Sequence, residues 1–255
     1  MNRRNFVGAA AGAGLLGMAG CVASASPSPP DVPDDLLGDG GWELVDEEQE
    51  EAFSESFAGQ EITATATTEI YENAPLREEL AEKTLGEVTE GPVTFFASRV
   101  TFDPDLTNLP GGVGREQVID EVEANARDQL TAQMELNGVE GVETVEEGEL
   151  TVDSGESARR TDMEGILPFE PISVPVTDDE TLTIDEDGIP VAGRLAVWHA
   201  EESVLVAGGA FPAENFAADL DEELSSAVSV SIEVDLELDP EQYESSLLEL
   251  VRSVE

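Results

Sequence analysis

Positive charge is scarce in this sequence. Lys and Arg together number 11 among 255 residues, against 58 Asp and Glu, for a formal net charge of −47 at pH 7. Lys83 is the single lysine, His199 the single histidine and Cys21 the single cysteine. A lone cysteine excludes an internal disulfide framework, and one histidine without a free cysteine is too little for a zinc site. Phosphate contacts need clustered Lys and Arg, so nucleic acid is not an expected partner. Aromatic residues are 5% of the chain, a poor supply for stacking against sugars. No Gly-x-Ser-x-Gly elbow supplies a serine nucleophile, and no Asn-x-Ser/Thr glycosylation sequon occurs.

The acids run along the whole chain, and 40% of residues are hydrophobic, too many for an acidic disordered segment. A compact domain with this charge repels itself at ordinary ionic strength. Near 1 M salt the Debye length falls to about 3 Å and the repulsion is largely screened. The composition therefore points to a folded, halophilic protein. In that setting acidity is a solubility device and implies no cationic substrate.

The N-terminus carries the most specific signal. Arg3-Arg4 and Phe6 precede an uncharged run of Gly, Ala, Val and Leu, and Met18-Ala19-Gly20 leads into Cys21. A charged start, a short apolar run and small residues before a cut describe an export signal. Paired arginines mark twin-arginine export, an address and not an anchor. Three other readings compete with a lipoprotein. Ala23-Ser24-Ala25 offers an ordinary cleavage site. The apolar run could remain as a membrane span, but Phe6 to Gly20 is 15 residues and a span needs roughly 20. Cys21 as a structural or catalytic thiol has no partner. Removing residues 1–20 takes away Arg3 and Arg4 and no acid, so the mature charge is 9 − 58 = −49.

Residues 21–37, rich in Ser, Pro and Asp, read as an extended tether. Residues 38–255 then form one domain with a sizeable core. Within it, Ile62 to Tyr71 alternates, with Ile62, Ala64, Ala66 and Ile70 on one face. Pro92 to Phe102 places Val93, Phe95 and Ala97 opposite Phe96, Val100 and Phe102. Thr181–Ile184, a turn at Asp185–Gly188 and Ile189–Trp198 read as a hairpin. Ser203–Phe211 and Val228–Leu238 are further strands. Arg115–Asn137 carries Ile119, Val122, Ala126, Leu130 and Met134 as one helical stripe, with Gly138 as its stop. Asp239-Pro240 starts a last helix with Tyr243, Leu247, Val251 and Val254 on its apolar face, and Pro75–Leu85 fits a shorter one. The pattern is α+β: a mainly antiparallel β-sheet packed by a long middle helix and a C-terminal amphipathic helix.

Met18-Ala19-Gly20-Cys21 resembles a lipobox, and Arg3-Arg4-x-Phe6 is similar to the twin-arginine consensus. That resemblance implies cleavage before Cys21, a two-chain lipid on its sulfur, and a protein held at the outer face of the cytoplasmic membrane; two chains anchor stably where one does not. Over its full length, and chiefly at Leu195–Trp198 and Val206–Pro212, the chain resembles a family of haloarchaeal twin-arginine-exported lipoproteins to which no function is assigned. The order of a Trp-containing strand, a long helix, late strands and a closing helix resembles the PsbP-like sandwich. The acidic, Pro-containing insert from Leu167 to Glu180 departs from that pattern.

Few residues remain as candidates for chemistry. His199 reads as a rim histidine at a strand end, with general-base use as the alternative. Asp185–Gly188 fails as a calcium loop, because Thr183 and Arg194 fall where acids are required. Asp178–Glu180 and Glu47–Glu51 read as solvated surface. Pro110–Gly114 could present N–H groups to an anion, but no phosphate-binding motif forms around it. Arg159-Arg160 reads as salt-bridging to nearby acids, with an anion clamp as the alternative, and Trp42 and Trp198 read as core anchors. No cofactor and no metal are implied. The expected function is a non-catalytic accessory, assembly or ligand-binding role at the cell surface, with the membrane, through a lipid on Cys21, and a surface protein as the candidate partners. The alternative is a glycosidase-like hydrolase using two carboxylates about 5 to 9 Å apart. A transporter's binding protein fits less well, since such proteins have two larger lobes.

Overall fold

The structure, a computed structural model, describes residues 28–57, 59–83, 93–106, 115–168, 172–175, 181–184, 188–225 and 228–255. In chain order the first elements are α1 (Asp34–Gly40), β1 (Trp42–Phe57), β2 (Gln60–Asn73), α2 (Ala74–Lys83) and β3 (Thr94–Asp103). The middle of the chain forms α3 (Arg115–Leu136), β4 (Glu140–Thr151), β5 (Ser157–Leu167), β6 (Ile172–Pro175) and β7 (Thr181–Ile184). The last part forms β8 (Ile189–Ala200), β9 (Ser203–Pro212), β10 (Ala217–Ser225), β11 (Val228–Asp235) and α4 (Pro240–Ser253).

Seven strands form one sheet in the order β1-β2-β3-β9-β8-β5-β4, every pairing antiparallel. Alternation along each strand sends side chains to two separate cores. On one face the α3 stripe Val118, Val122, Ala126, Leu130 and Met134 meets Ile62, Ala64, Val100 and Leu195. On the other, Leu247, Leu250 and Val251 of α4 meet Phe95, Ala97, Leu205 and Phe211. The two faces of β3 divide as its alternation predicts. The α3 stripe matches the expected one with a slight rotation, so that Val118 is buried and Ile119 only flanks the core. Asp239 caps α4 by accepting from the Gln242 amide at 3.1 Å, with Pro240 at the first position.

Strands β8 and β9 lie under helices on both faces. Every residue of β9 is buried, which explains why Ser203–Pro212 carries no charge. A Cβ at Gly209 would run into the Thr94 carbonyl oxygen and stand 2.9 Å from Leu247 Cδ1, so only glycine lets α4 settle on β9. The free edges are the opposite case. Glu43, Asp46, Glu47, Glu48, Glu50 and Glu51 on β1, and Glu140, Glu143, Glu146, Glu147 and Glu149 on β4, are exposed. Like charge along both edges discourages pairing with another sheet, and the Glu47–Glu51 run is solvated as expected.

Three expectations are corrected. Thr181–Ile184 does not form a hairpin with Ile189–Trp198; β7 pairs with β6 in a separate two-stranded sheet. Strand β8 is flanked by β5 and β9 and has no free edge to offer. The turn residues 185–187 lie outside the described residues, as do 107–114 and 176–180, which hold Pro110–Gly114 and Asp178–Glu180. The tether does not continue to Leu37. Asp31 and Glu255 exchange two backbone hydrogen bonds, of 2.6 and 3.0 Å, Val32 is buried in the α4-side core, and Leu36 and Leu37 pack against it. The strand expected over Val228–Leu238 stops at Asp235, and its partner is β10, so both stand apart from the main sheet.

Gly209→Ala should lose about 1–3 kcal/mol through overpacking. Gly38→Ala, where a Cβ has open space, should be neutral or gain up to about 1 kcal/mol of helix propensity. Denaturant unfolding of both variants at one salt concentration checks the contrast.

Candidate functional site

Five elements, α1, β1, β2, α2 and α4, converge at one end of the molecule. Gly41 ends α1 in the left-handed conformation, φ 70°, and its N–H donates to Gly38 O at 3.3 Å. Asn73 closes the junction from β2. Its Nδ2 donates to Gly40 O at 2.9 Å, and its Oδ1 accepts from the Leu76 amide at 3.1 Å, capping α2. Trp42 Nε1 donates to Ser246 Oγ of α4 at 3.3 Å. The Trp42 ring meets the edge of Phe95 at 6.0 Å and 68°, and Tyr71 stacks on the same Phe95 at 5.6 Å. Trp42 is thus the core anchor expected, while its indole also walls a half-open depression of about 440 Å³ lined by Asp39, Gly40, Asn73, Glu79, Gln242, Tyr243 and Ser246 among others.

Tyr71 is held well above the ordinary phenol range by burial, and next by its hydrogen bond to Glu69 Oε2 at 2.7 Å. It remains neutral at any physiological pH and serves as a core and hydrogen-bonding group.

The arginines are committed elsewhere. Arg159 and Arg160 are adjacent on a strand and therefore point to opposite faces. Arg159 holds α3 through Asp120 at 2.6 Å and Glu123 at 3.1 Å. Arg160 reaches Glu146 at 3.1 Å and Asp162 at 3.2 Å. The salt-bridging reading of the pair is correct, and a joint anion clamp is geometrically excluded. Arg194, on β8, lies 2.9 Å from Glu244 of α4 and 3.7 Å from Asp162, with its guanidinium carbon 5.3 Å from the Phe211 ring centre. It ties α4 to the sheet. Burial pushes the Asp162 carboxyl above its usual range, opposed by Arg194 and then Arg160.

His199 is half-buried at the β8 end, beside Val204 across the ladder and away from the depression. Trp198 is buried in the α4-side core. Arg3, Arg4, Phe6 and Cys21 lie outside the described residues. Among the described residues there is no group of three or more His, Cys, Asp or Glu placed to hold a metal ion, and no helix is long and apolar enough to cross a membrane. Sequence reasoning did not bring together Asp39, Asn73, Glu79 and Gln242. Only the α4 start at Asp239-Pro240 was a signal for their neighbourhood.

Fold and site together define an α+β domain in which a seven-stranded antiparallel sheet lies between helices, with an acidic, polar depression where α1, α2 and α4 meet. The chain belongs to the family described as a domain of unknown function, DUF6517, which matches residues 29–255. No curated protein and no solved structure matches it.

A raised folded-state value means the native state holds the Asp162 proton more tightly than the unfolded chain does. The resulting stability is present below the ordinary carboxylate value of about 3.9 and is lost as pH rises through the raised one. Wild type should therefore lose stability relative to Asp162→Asn as pH rises above the ordinary carboxylate value of about 3.9. Denaturant midpoints across that range check the sign, and the opposite slope would mean that the two arginines outweigh burial.

Proposed function

We propose that this protein is a lipid-anchored surface lipoprotein of a halophile, exported by the twin-arginine route, whose domain serves a non-catalytic accessory, assembly or ligand-binding role. The observation that carries the reading is the Asp31–Glu255 strap. With Pro30 already buried, the folded unit starts no more than nine residues beyond Cys21, a reach of about 30 Å at full stretch. The depression lies toward the other end of α4. From Gln242 to Glu255 is about 20 Å at helical rise, so the depression and the strapped Asp31 lie toward opposite ends of α4. The acidic edges of β1 and β4 support life in molar salt. The order of Trp42 strand, long α3 and closing α4 supports a PsbP-like sandwich.

One observation favours a second reading, a surface hydrolase. Asp39 and Glu79 line the same depression as Trp42 and Tyr243, and a glycosidase works with a pair of carboxylates. Hydrolysis of a glycoside that is abolished in Glu79→Gln would establish it.

Replacing Cys21 by Ser should move the protein from the membrane fraction to the medium, and retention at the membrane would sink the lipid anchor. Crosslinking in intact cells at native salt should recover one stoichiometric partner if the role is accessory. Dialysis from molar KCl to 0.1 M, where the Debye length grows to about 10 Å, should unfold the domain. An unchanged circular dichroism spectrum would refute dependence on high salt.

A further inference from the structure

We propose that the end of the domain where the chain enters docks against the anionic headgroups of the bilayer, through the outer end of the β1–β2 hairpin, Arg99 and Arg252. The proposal deepens the reading of a lipid-anchored surface domain and rests on it.

Direction is the first observation. Asp31 and Glu255 bond reciprocally, each N–H to the other's carbonyl, which is the pairing of antiparallel strands. Helix α4 ends at Ser253, just before this strap. The chain that leads into Asp31 therefore arrives from beyond the end of α4, while residues 34–42 run back through α1 to Trp42. Arg99 Nη2 donates to Glu255 O at 2.9 Å and sets the level of the strap on the sheet. Arg99 pairs with Thr67, and Thr67 with Gln49. Past that rung β1 and β2 continue to the Phe57–Gln60 pair, about 25 Å further at strand rise. The hairpin thus projects beyond the strap on the side from which the chain comes. Its overhang is close to the reach of about 30 Å between Cys21 and Pro30 at full stretch. A bilayer holding the lipid at that reach lies level with the outer end of the hairpin.

Charge is the second observation. Among the described residues, Arg77, Arg127, Arg159, Arg160 and Arg194 are paired with carboxylates, whereas Arg99 and Arg252 stand in no ion pair. Both belong to the strap: Arg99 holds Glu255, and Arg252 is in the last turn of α4. A guanidinium carries five donors and fits phosphate oxygens bidentately. Asp31, Asp153 and Glu156 are exposed at the same end and would repel an anionic surface at low salt. In molar salt the Debye length of about 3 Å screens that repulsion beyond contact. Charge-assisted hydrogen bonds from the two arginines act at contact and persist.

The test uses the native lipidated chain in phosphatidylglycerol vesicles in molar KCl, with dansyl-labelled headgroups as acceptors for Trp emission. Trp198 and Arg99 both pair with Leu205, so Trp198 marks the strap level. Trp42 pairs with Asn73, about 20 Å away along the strands. Energy transfer in Trp42→Phe, which leaves Trp198, should be at least about twofold greater than in Trp198→Phe, which leaves Trp42. The difference should shrink in the double variant Arg99→Gln, Arg252→Gln and on phosphatidylcholine vesicles. If a Trp variant fails to fold, amide hydrogen exchange of the native chain carries the test. Exchange at residues 54–57 and 59–62 should then be slower on phosphatidylglycerol than on phosphatidylcholine, with residues 73–79 unchanged. Equal transfer from the two tryptophans, greater transfer from Trp42, a difference that the arginine substitutions leave intact, or hairpin exchange equal on both lipids would each overturn the proposal. A chain that does not stay with the vesicles at all would refute the lipid anchor instead, so the two claims fail separately.

Discussion

Everything else in the fold depends on the burial of the β8–β9 pair from both sides. A strand covered on two faces has no solvated side on which to place a charge, and β9 accordingly carries none. That demand requires a helix on each face. The long α3 covers one with its Val118-to-Met134 stripe, and α4 covers the other with Leu247, Leu250 and Val251. Gly209 sets how closely α4 approaches. The hairpins β1–β2 and β4–β5 then extend the sheet outward from a centre that is already closed.

Charge follows the same geometry in reverse. With the centre closed to it, negative charge collects on the two edges and on the outer faces of the helices. The few arginines are spent as ties between layers: Arg159 and Arg127 join α3 to β5 and β4, and Arg194 joins β8 to α4. Most of these pairs are partly exposed, where an ion pair contributes little. Arg194 is different, because it stands beside the buried Asp162 and against Phe211, where removing one partner would leave a charge without compensation.

The same helix that seals the centre also relates the two ends of the molecule. Its first turns help wall the depression, and just beyond its last turn Glu255 is strapped to Asp31. Chain entrance and depression are therefore separated by the length of α4.

Local patterns were legible wherever they agreed with their surroundings. The α3 stripe, the Asp239-Pro240 start of α4 and the division of β3 into two faces follow from periodicity and capping, which act within a few residues. Strands β4 and β5 were not read. Nearly all of β4 is exposed at an edge, and β5 turns Arg160 and Asp162 inward as a pair, so neither shows an apolar alternation. The pairing of β7 was misjudged because a turn signal says where a chain can reverse, not which strand still has a free edge. By itself the sequence determined an acidic α+β chain with its helices and central strands, since composition, period and caps are local properties. Only the tertiary structure decided the strand order, the docking of residues 31–37, the separation of Arg159 from Arg160, and the meeting of Asp39, Asn73, Glu79 and Gln242. Each of these depends on which surfaces are left to bury once the neighbouring elements are in place.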